Sequence, residues 1–173
     1  MSWVIYLVLV AFILYTSYNI AALSMFGIKN SLSQTFYEFK NIKPCYRFFF
    51  PIMMISVGFL LIPAWLVVSE GSNYMFTAFF AATGIIFTGS SPAFNRNKLE
   101  DRMHTGSAYF AATFALLWII LVTKLWWVII IWGVIILFVA LLTKTLKSSI
   151  VYWLETVTFL STFTSIIIHF VAK

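Results

Sequence analysis

Charge is what this chain has least of. Only 9% of its 173 residues are Asp, Glu, Lys or Arg, and just five are acidic; soluble domains carry about 25% charged residues. A surface that poor in charge cannot face water on all sides, so a soluble enzyme or a nucleic-acid-binding domain is excluded. Cysteine is equally scarce. Cys45 stands alone, which removes any intrachain disulfide and any multi-cysteine metal centre and leaves it to fill space. There is no HExxH, no GxSxG and no glycine-rich phosphate loop, so no metal or cofactor is expected.

What fills the sequence instead is hydrophobic residues, 62% of the total. A helix needs about 20 predominantly apolar residues to cross roughly 30 Å of hydrocarbon, and six segments qualify: 3–25, 48–68, 74–90, 104–123, 125–142 and 149–172. The reading is an all-α, single-domain, six-span bundle covering residues 1–173. Residues 1–26 hold no Lys or Arg and stay apolar for a full span, unlike a cleavable signal peptide, so the first helix is expected to be kept. Lys124 alone separates spans four and five, which predicts a tight hairpin. Pro51 falls in a first helical turn, Pro63 inside span two, where a bend is expected, and Pro92 after span three, where it helps end the helix.

The net charge of +6 is unevenly placed. Lys29, Lys40, Lys43, Arg47, Arg96, Lys98, Arg102, Lys144 and Lys147 lie in the loops after spans one, three and five, against Lys124 and Lys173 on the opposite side. Positive residues stay cytoplasmic, which predicts an inner-membrane protein with both termini outside. The partners expected are membrane lipids. Trp3, Trp65, Trp118, Trp126 and Trp127 then fall near the outer ends, as an interfacial aromatic belt would have them. In the first basic loop SLSQTFYEF pairs Ser31 with Gln34 at a capping-box spacing and puts Leu32, Phe36 and Phe39 on one face, predicting an interfacial helix over about 31–40.

Residues 78–83 read AFFAAT and 108–113 read AYFAAT. The likeness stops at their flanks, and a three-plus-three inverted repeat would equate span one with four rather than three with four. Small residues at such spacing let membrane helices approach closely, so Ala78, Ala81 and Ala82 are expected to pack against Gly106, Ala108, Ala111 and Ala112.

Candidate chemistry gathers on span six. Glu155, Thr158, Thr162, Ser165 and His169 recur at steps of three and four, one stripe along the helix, and Tyr152 extends it by a turn. Glu155 lies about 10 Å inside the basic end at 1.5 Å per residue. A carboxylate at mid-membrane costs roughly 2.5–3.5 kcal/mol on insertion scales, so it should face the bundle, protonated or paired, as a proton- or cation-handling position. The blander reading is hydroxyls gluing helices and a Glu bonded to a neighbour. Asn19, with Tyr15 and Tyr18 on span one, lies at a depth that makes it a candidate partner for Glu155. Asp101 and His104, three apart at the entrance of span four, suit a proton-moving pair or a helix cap. His104 and His169 fall at opposite faces, about a bilayer apart, so they cannot share a metal or haem.

The strings SLSQTFYEF, FPIMMISVGFLLIPAWL, FTGSSPAF and HTGSAYFAA resemble small polytopic membrane proteins of unassigned activity from gut Bacteroidales and their phages, and the Asp101-x-x-His104 step is similar to that of some six-helix families. The resemblance implies a bacterial or phage inner-membrane origin and carries over no functional residue. Three classes of function are open: a non-enzymatic protein that binds or conducts a small ligand, proton or cation along the span-six seam; a structural or interaction subunit, as a homo-oligomer, within a membrane complex or as a phage-encoded envelope factor; and an intramembrane lipid-acting enzyme using Glu155 or the Asp101–His104 pair.

The charge asymmetry yields a direct test of topology. Reporter fusions at Lys173 and at Asn95 should report opposite sides of the membrane, and two cytoplasmic signals would overturn the six-span arrangement.

Overall fold

Inside hydrocarbon a backbone amide finds no water, so a chain this apolar must close its hydrogen bonds within each segment. The computed structural model describes residues 2–92 and 98–172, and among them every regular element is helical. The helices are α1 (Ser2–Phe26), α2 (Thr35–Ile42), α3 (Phe49–Val68), α4 (Phe76–Ser90), α5 (Lys98–Trp118, continued by a π-helical turn Ile119–Thr123), α6 (Trp126–Leu142) and α7 (Ile150–Val171). Four stretches are long and apolar enough to cross a membrane: Trp3–Phe26, Pro44–Val68, Lys98–Thr123 and Ile150–Val171. The chain is a multi-pass membrane protein. Phe76–Ser90 and Trp126–Leu142 are apolar but shorter; at 1.5 Å per residue α4 is about 22 Å long.

Five of the six expected spans match a helix to within two residues at each end. The fourth begins at Lys98 rather than 104, because the polar run Lys98–Met103 is itself helical, with Glu100 and Asp101 in the first turn complementing the positive end of the helix dipole. Asn95, Arg96 and Lys173, used in the charge and topology argument, lie outside the described residues. The expected interfacial helix is a 3-10 turn, Leu32–Gln34, leading into α2. Leu32, Phe36 and Phe39 are all buried, as the amphipathic pattern requires. The capping box does not form: Gln34 Oε1 accepts from the backbone N–H of Asn30 at 3.1 Å, and Ser31 Oγ lies 3.0 Å from Ser33 Oγ.

The helices pack as a chain of neighbours, α1 against α3, α3 against α4 and α4 against α5, with α7 touching α1, α3 and α5. The α5–α6 connection is as short as expected, Lys124 taking a left-handed φ of 60° and Leu125 N–H donating to Thr123 Oγ1 at 3.2 Å. Yet α6 does not lie back along α5. It rests on α7, where Trp132 Nε1 donates to Thr164 Oγ1 at 2.9 Å, and it exposes Ile130, Ile131, Val134 and Phe138.

Close approach centres on α4. A Cβ placed on Gly84 would fall 2.7 Å from both the Cβ and the backbone N of Ala111 on α5. On the other flank, Gly89 meets Met54 Cβ at 2.9 Å, and a Cβ on Gly58 of α3 would meet Ile86 Cγ1 at 2.8 Å. Ala78, Ala81, Ala82 and Ala111 are buried, Ala108 and Ala112 half-buried. The two alanine strings therefore meet across one interface. Gly106 takes no part in it; it is exposed, with open space around it. The tryptophans divide as well. Trp3, Trp126 and Trp127 are exposed, but Trp65 and Trp118 are fully buried, edge to face at 6.2 Å, and Trp118 Nε1 donates to Ser69 Oγ at 2.8 Å. These two pin α5 to the end of α3 rather than float at an interface.

Replacing Gly84 by Ala should lower the melting temperature in detergent despite the gain of up to about 1 kcal/mol in helix propensity, because the new methyl meets backbone and overpacking costs roughly 1–3 kcal/mol. Ala81→Leu and Ala111→Leu should do the same. Gly133→Ala, on α6 with nothing within 4 Å, should be neutral or stabilising, and equal melting of Gly84→Ala and Gly133→Ala would show that α4 and α5 do not touch at backbone level.

Candidate functional site

The first turn of any helix leaves N–H groups without partners, and α7 begins with no acidic residue in that turn and no side-chain cap from Ser149. The loop after α1 supplies what is missing. The Asn30 carbonyl accepts from Tyr152 N–H at 3.1 Å, and in return Leu32 N–H donates to Glu155 Oε2 at 2.7 Å. Two reciprocal bonds thus dock the loop onto the start of α7. The loop is stiffened from within by the ion pair of Lys29 with Glu38 at 2.6 Å, by Thr35 Oγ1 donating to Leu32 O at 2.5 Å, and by Tyr18 OH against Thr35 Oγ1. Burial of Leu32, Ser33, Thr35 and Phe36 seals it over the bundle.

The stripe on α7 is real as a row of positions but not as a chain of bonded side chains. Thr158 Oγ1 donates to Leu154 O at 2.9 Å and Thr162 Oγ1 to Thr158 O at 2.8 Å; both hydroxyl protons return to their own helix, a habit of Thr in helices. Ser165 is buried with no hydrogen-bond partner for its hydroxyl among the described residues, as is Ser161 one turn earlier. His169, half-buried, sits with its ring 6.2 Å from that of Phe170. Tyr152 is buried, and its hydroxyl donates to Asn19 Oδ1 at 3.3 Å, while Asn19 Nδ2 donates to Tyr15 O at 2.8 Å. Asn19 therefore joins the seam through Tyr152, and the partner of Glu155 is the Leu32 amide. Depth alone placed Asn19 correctly near this end; one helical turn decides which side chain it meets.

Asp101 and His104 differ in burial. Asp101 is exposed, whereas His104 is 4% exposed, with Nδ1 2.9 Å from Ser91 O, and this carbonyl makes Nδ1 the donor. His104 thereby ties α5 to the residue just beyond the end of α4, and Thr88 and Ser107 add a hydroxyl contact of 3.0 Å between the same helices. In place of a cap on its own helix, His104 reaches the residue that ends the neighbouring helix.

Glu155 also borders a narrow cleft of about 40 Å³ lined by residues of α3, α4, α5 and α7. Its α7 wall is Glu155, Thr158 and Thr162; its α5 wall is Ala108, Ala111, Ala112 and Ala115; Met54 and Leu61 of α3 close its back. That volume admits a few water-sized groups, since one water needs roughly 10–15 Å³ by the same measure. Glu155 is half-buried, Oε1 accepts no hydrogen bond among the described residues, and no Lys, Arg or His lies within 4.0 Å of its carboxylate there. Among the described residues no group of three or more His, Cys, Asp or Glu could hold a metal ion. No family model, curated protein or solved structure matches the chain.

Reading the sequence residue by residue misses the Asn30 carbonyl and the Leu32 amide, because main-chain groups carry no signature of type. Glu155→Gln should preserve the docked loop, since the amide carbonyl still accepts from Leu32. Glu155→Leu leaves that N–H unpaired, which costs about 1–3 kcal/mol, so melting should fall and amide exchange over residues 29–35 should accelerate; unchanged exchange there would show that the loop is held by its apolar side chains alone.

Proposed function

We propose that this protein is a six-span inner-membrane protein, its basic loops cytoplasmic and both termini outside, that binds a small cation or hydrogen-bond donor in the cleft between α5 and α7, with Glu155 as the anchoring group. The observation that carries the reading is the half-satisfied carboxylate: one oxygen is held by Leu32 N–H, the other has neither hydrogen bond nor cation among the described residues, and the side chain borders an alanine-walled cleft. A carboxylate bordered by Ala, Leu, Met and Phe is stabilised by a proton or a positive ligand, and an ionisable residue inside a membrane bundle marks such a site by default.

Binding is favoured over conduction along α7. A file of waters or ions needs hydroxyls free to turn toward it, and those of Thr158 and Thr162 are engaged with their own backbone. The cleft is lined by Thr162 at its far end and does not include Ser165 or His169. A ligand of a few heavy atoms, an ammonium or a small amine, matches both the volume and the sign of charge, and it would enter sideways between α5 and α7.

A panel of alkali, ammonium, methylammonium and guanidinium salts in a thermal-shift assay on purified protein tests this. A ligand present at 100 times its Kd stabilises by about 2.7 kcal/mol, and Glu155→Gln, which keeps the loop bond, should lose that shift. A cation-dependent shift that persists unchanged in Glu155→Gln, or no shift with any member of the panel, would sink the proposal.

A further inference from the structure

A second cavity lies away from Glu155, among the basic loops. It measures about 460 Å³ and opens between α2, the 3-10 turn Pro44–Phe48, the start of α3 and the end of α4. Lys40 and Arg47 both line it, half-buried. Neither has a carboxylate within 4.0 Å among the described residues, where the loop's ion pair joins Lys29 to Glu38 instead. Half-burying two cations on the wall of one cavity without a counter-charge is unfavourable unless an anion completes the site.

Arg47 holds its guanidinium over the Phe48 ring, 4.8 Å from the centroid. No ion pair occupies its N–H groups among the described residues, so they can take a pair of oxygens, the way Arg binds phosphate. The rest of the wall is mostly apolar, with Phe36, Pro51 and Ile55 foremost beside Tyr37 and Ser90. Phe48, Phe49 and Ile52 beside it are 50%, 45% and 60% exposed, so the apolar lining runs on into the lipid-facing surface of α3. The end of α4, at Gly89 and Ser90, contributes the negative pole of a helix. That pole disfavours a bare multivalent anion and suits a headgroup that also carries a hydroxyl or ammonium donor.

We propose that this cavity holds the headgroup of an anionic phospholipid, with Arg47 and Lys40 binding its phosphodiester and Phe36, Pro51 and Ile55 receiving the glyceryl end of its acyl chains. The site is separate from the α5–α7 cleft and does not depend on what binds there.

The test is native mass spectrometry of the full-length protein in detergent, titrated with phosphatidylglycerol, phosphatidylcholine or inorganic phosphate. Phosphatidylglycerol should be retained about tenfold or more over phosphatidylcholine, and the pair Lys40→Gln with Arg47→Gln should remove that preference, since each basic residue near a membrane surface adds a comparable increment. Lys144→Gln with Lys147→Gln, in another basic loop, should leave it in place. Because the double variant at the cavity risks misfolding, a photoactivatable phosphatidylglycerol is also cross-linked to the wild-type protein in nanodiscs, where adducts should map within residues 36–55. Equal retention of both lipids, displacement by inorganic phosphate at matching concentration, equal loss in the Lys144/Lys147 pair, or adducts spread over all lipid-facing helices would overturn the proposal.

Discussion

The contact of Gly84 with Ala111 sets the spacing of this bundle. In lipid there is no hydrophobic gain in bringing two apolar helices together, so association rests on close van der Waals packing. Gly84 lets α4 meet α5 backbone to backbone, and Gly58 with Gly89 make room for side chains of Ile86, Met54 and Ile55 between α3 and α4. α4, only 15 residues long, is gripped from both flanks. The contacts at the basic end agree with that grip: His104 reaches Ser91, and Thr88 reaches Ser107. The cleft beside Glu155 lies between α5 and α7, with α3 and α4 residues also lining it.

Glu155 stands between the loop and the cleft. Its Oε2 holds the loop that covers the end of the bundle, and its side chain borders the cleft. A ligand that draws on Oε1 changes the charge seen by the Leu32 amide, so occupancy of the cleft and firmness of the loop share one group. The same loop runs on into α2 and Lys40, which places the lipid cavity and the cleft at two ends of one docked segment.

Much of this was legible beforehand. Helix positions, the buried face of Leu32, Phe36 and Phe39, the meeting of the alanine strings, the short connection at Lys124 and the placing of Asn19 near the base of α7 all rest on periodicity, length and depth, which are properties of a segment by itself; the hairpin expected at Lys124 does not form, because α6 rests on α7. The errors have a common cause. Trp65 and Trp118 were read by height in the membrane, yet height does not distinguish a tryptophan facing lipid from one facing a partner helix. Gly106 was grouped with its neighbours by spacing, and only rotation about α5 shows that it points away. The start of α5 was placed where apolar residues begin, although polar residues extend a helix freely once it leaves the hydrocarbon.

What the amino-acid sequence determined by itself is the solvent: with so few charges and such long apolar runs, each segment had to satisfy its own backbone as a helix, whatever its neighbours. It also determined which faces carry small or polar residues. Tertiary structure alone decided the partners, that Glu155 bonds a main-chain amide 123 residues away, that His104 closes the end of another helix, that α6 leans on α7 and not α5. The reason is that helix formation is local and driven by the bilayer, whereas the rotation and pairing of helices rest on small differences in contact that no single segment contains.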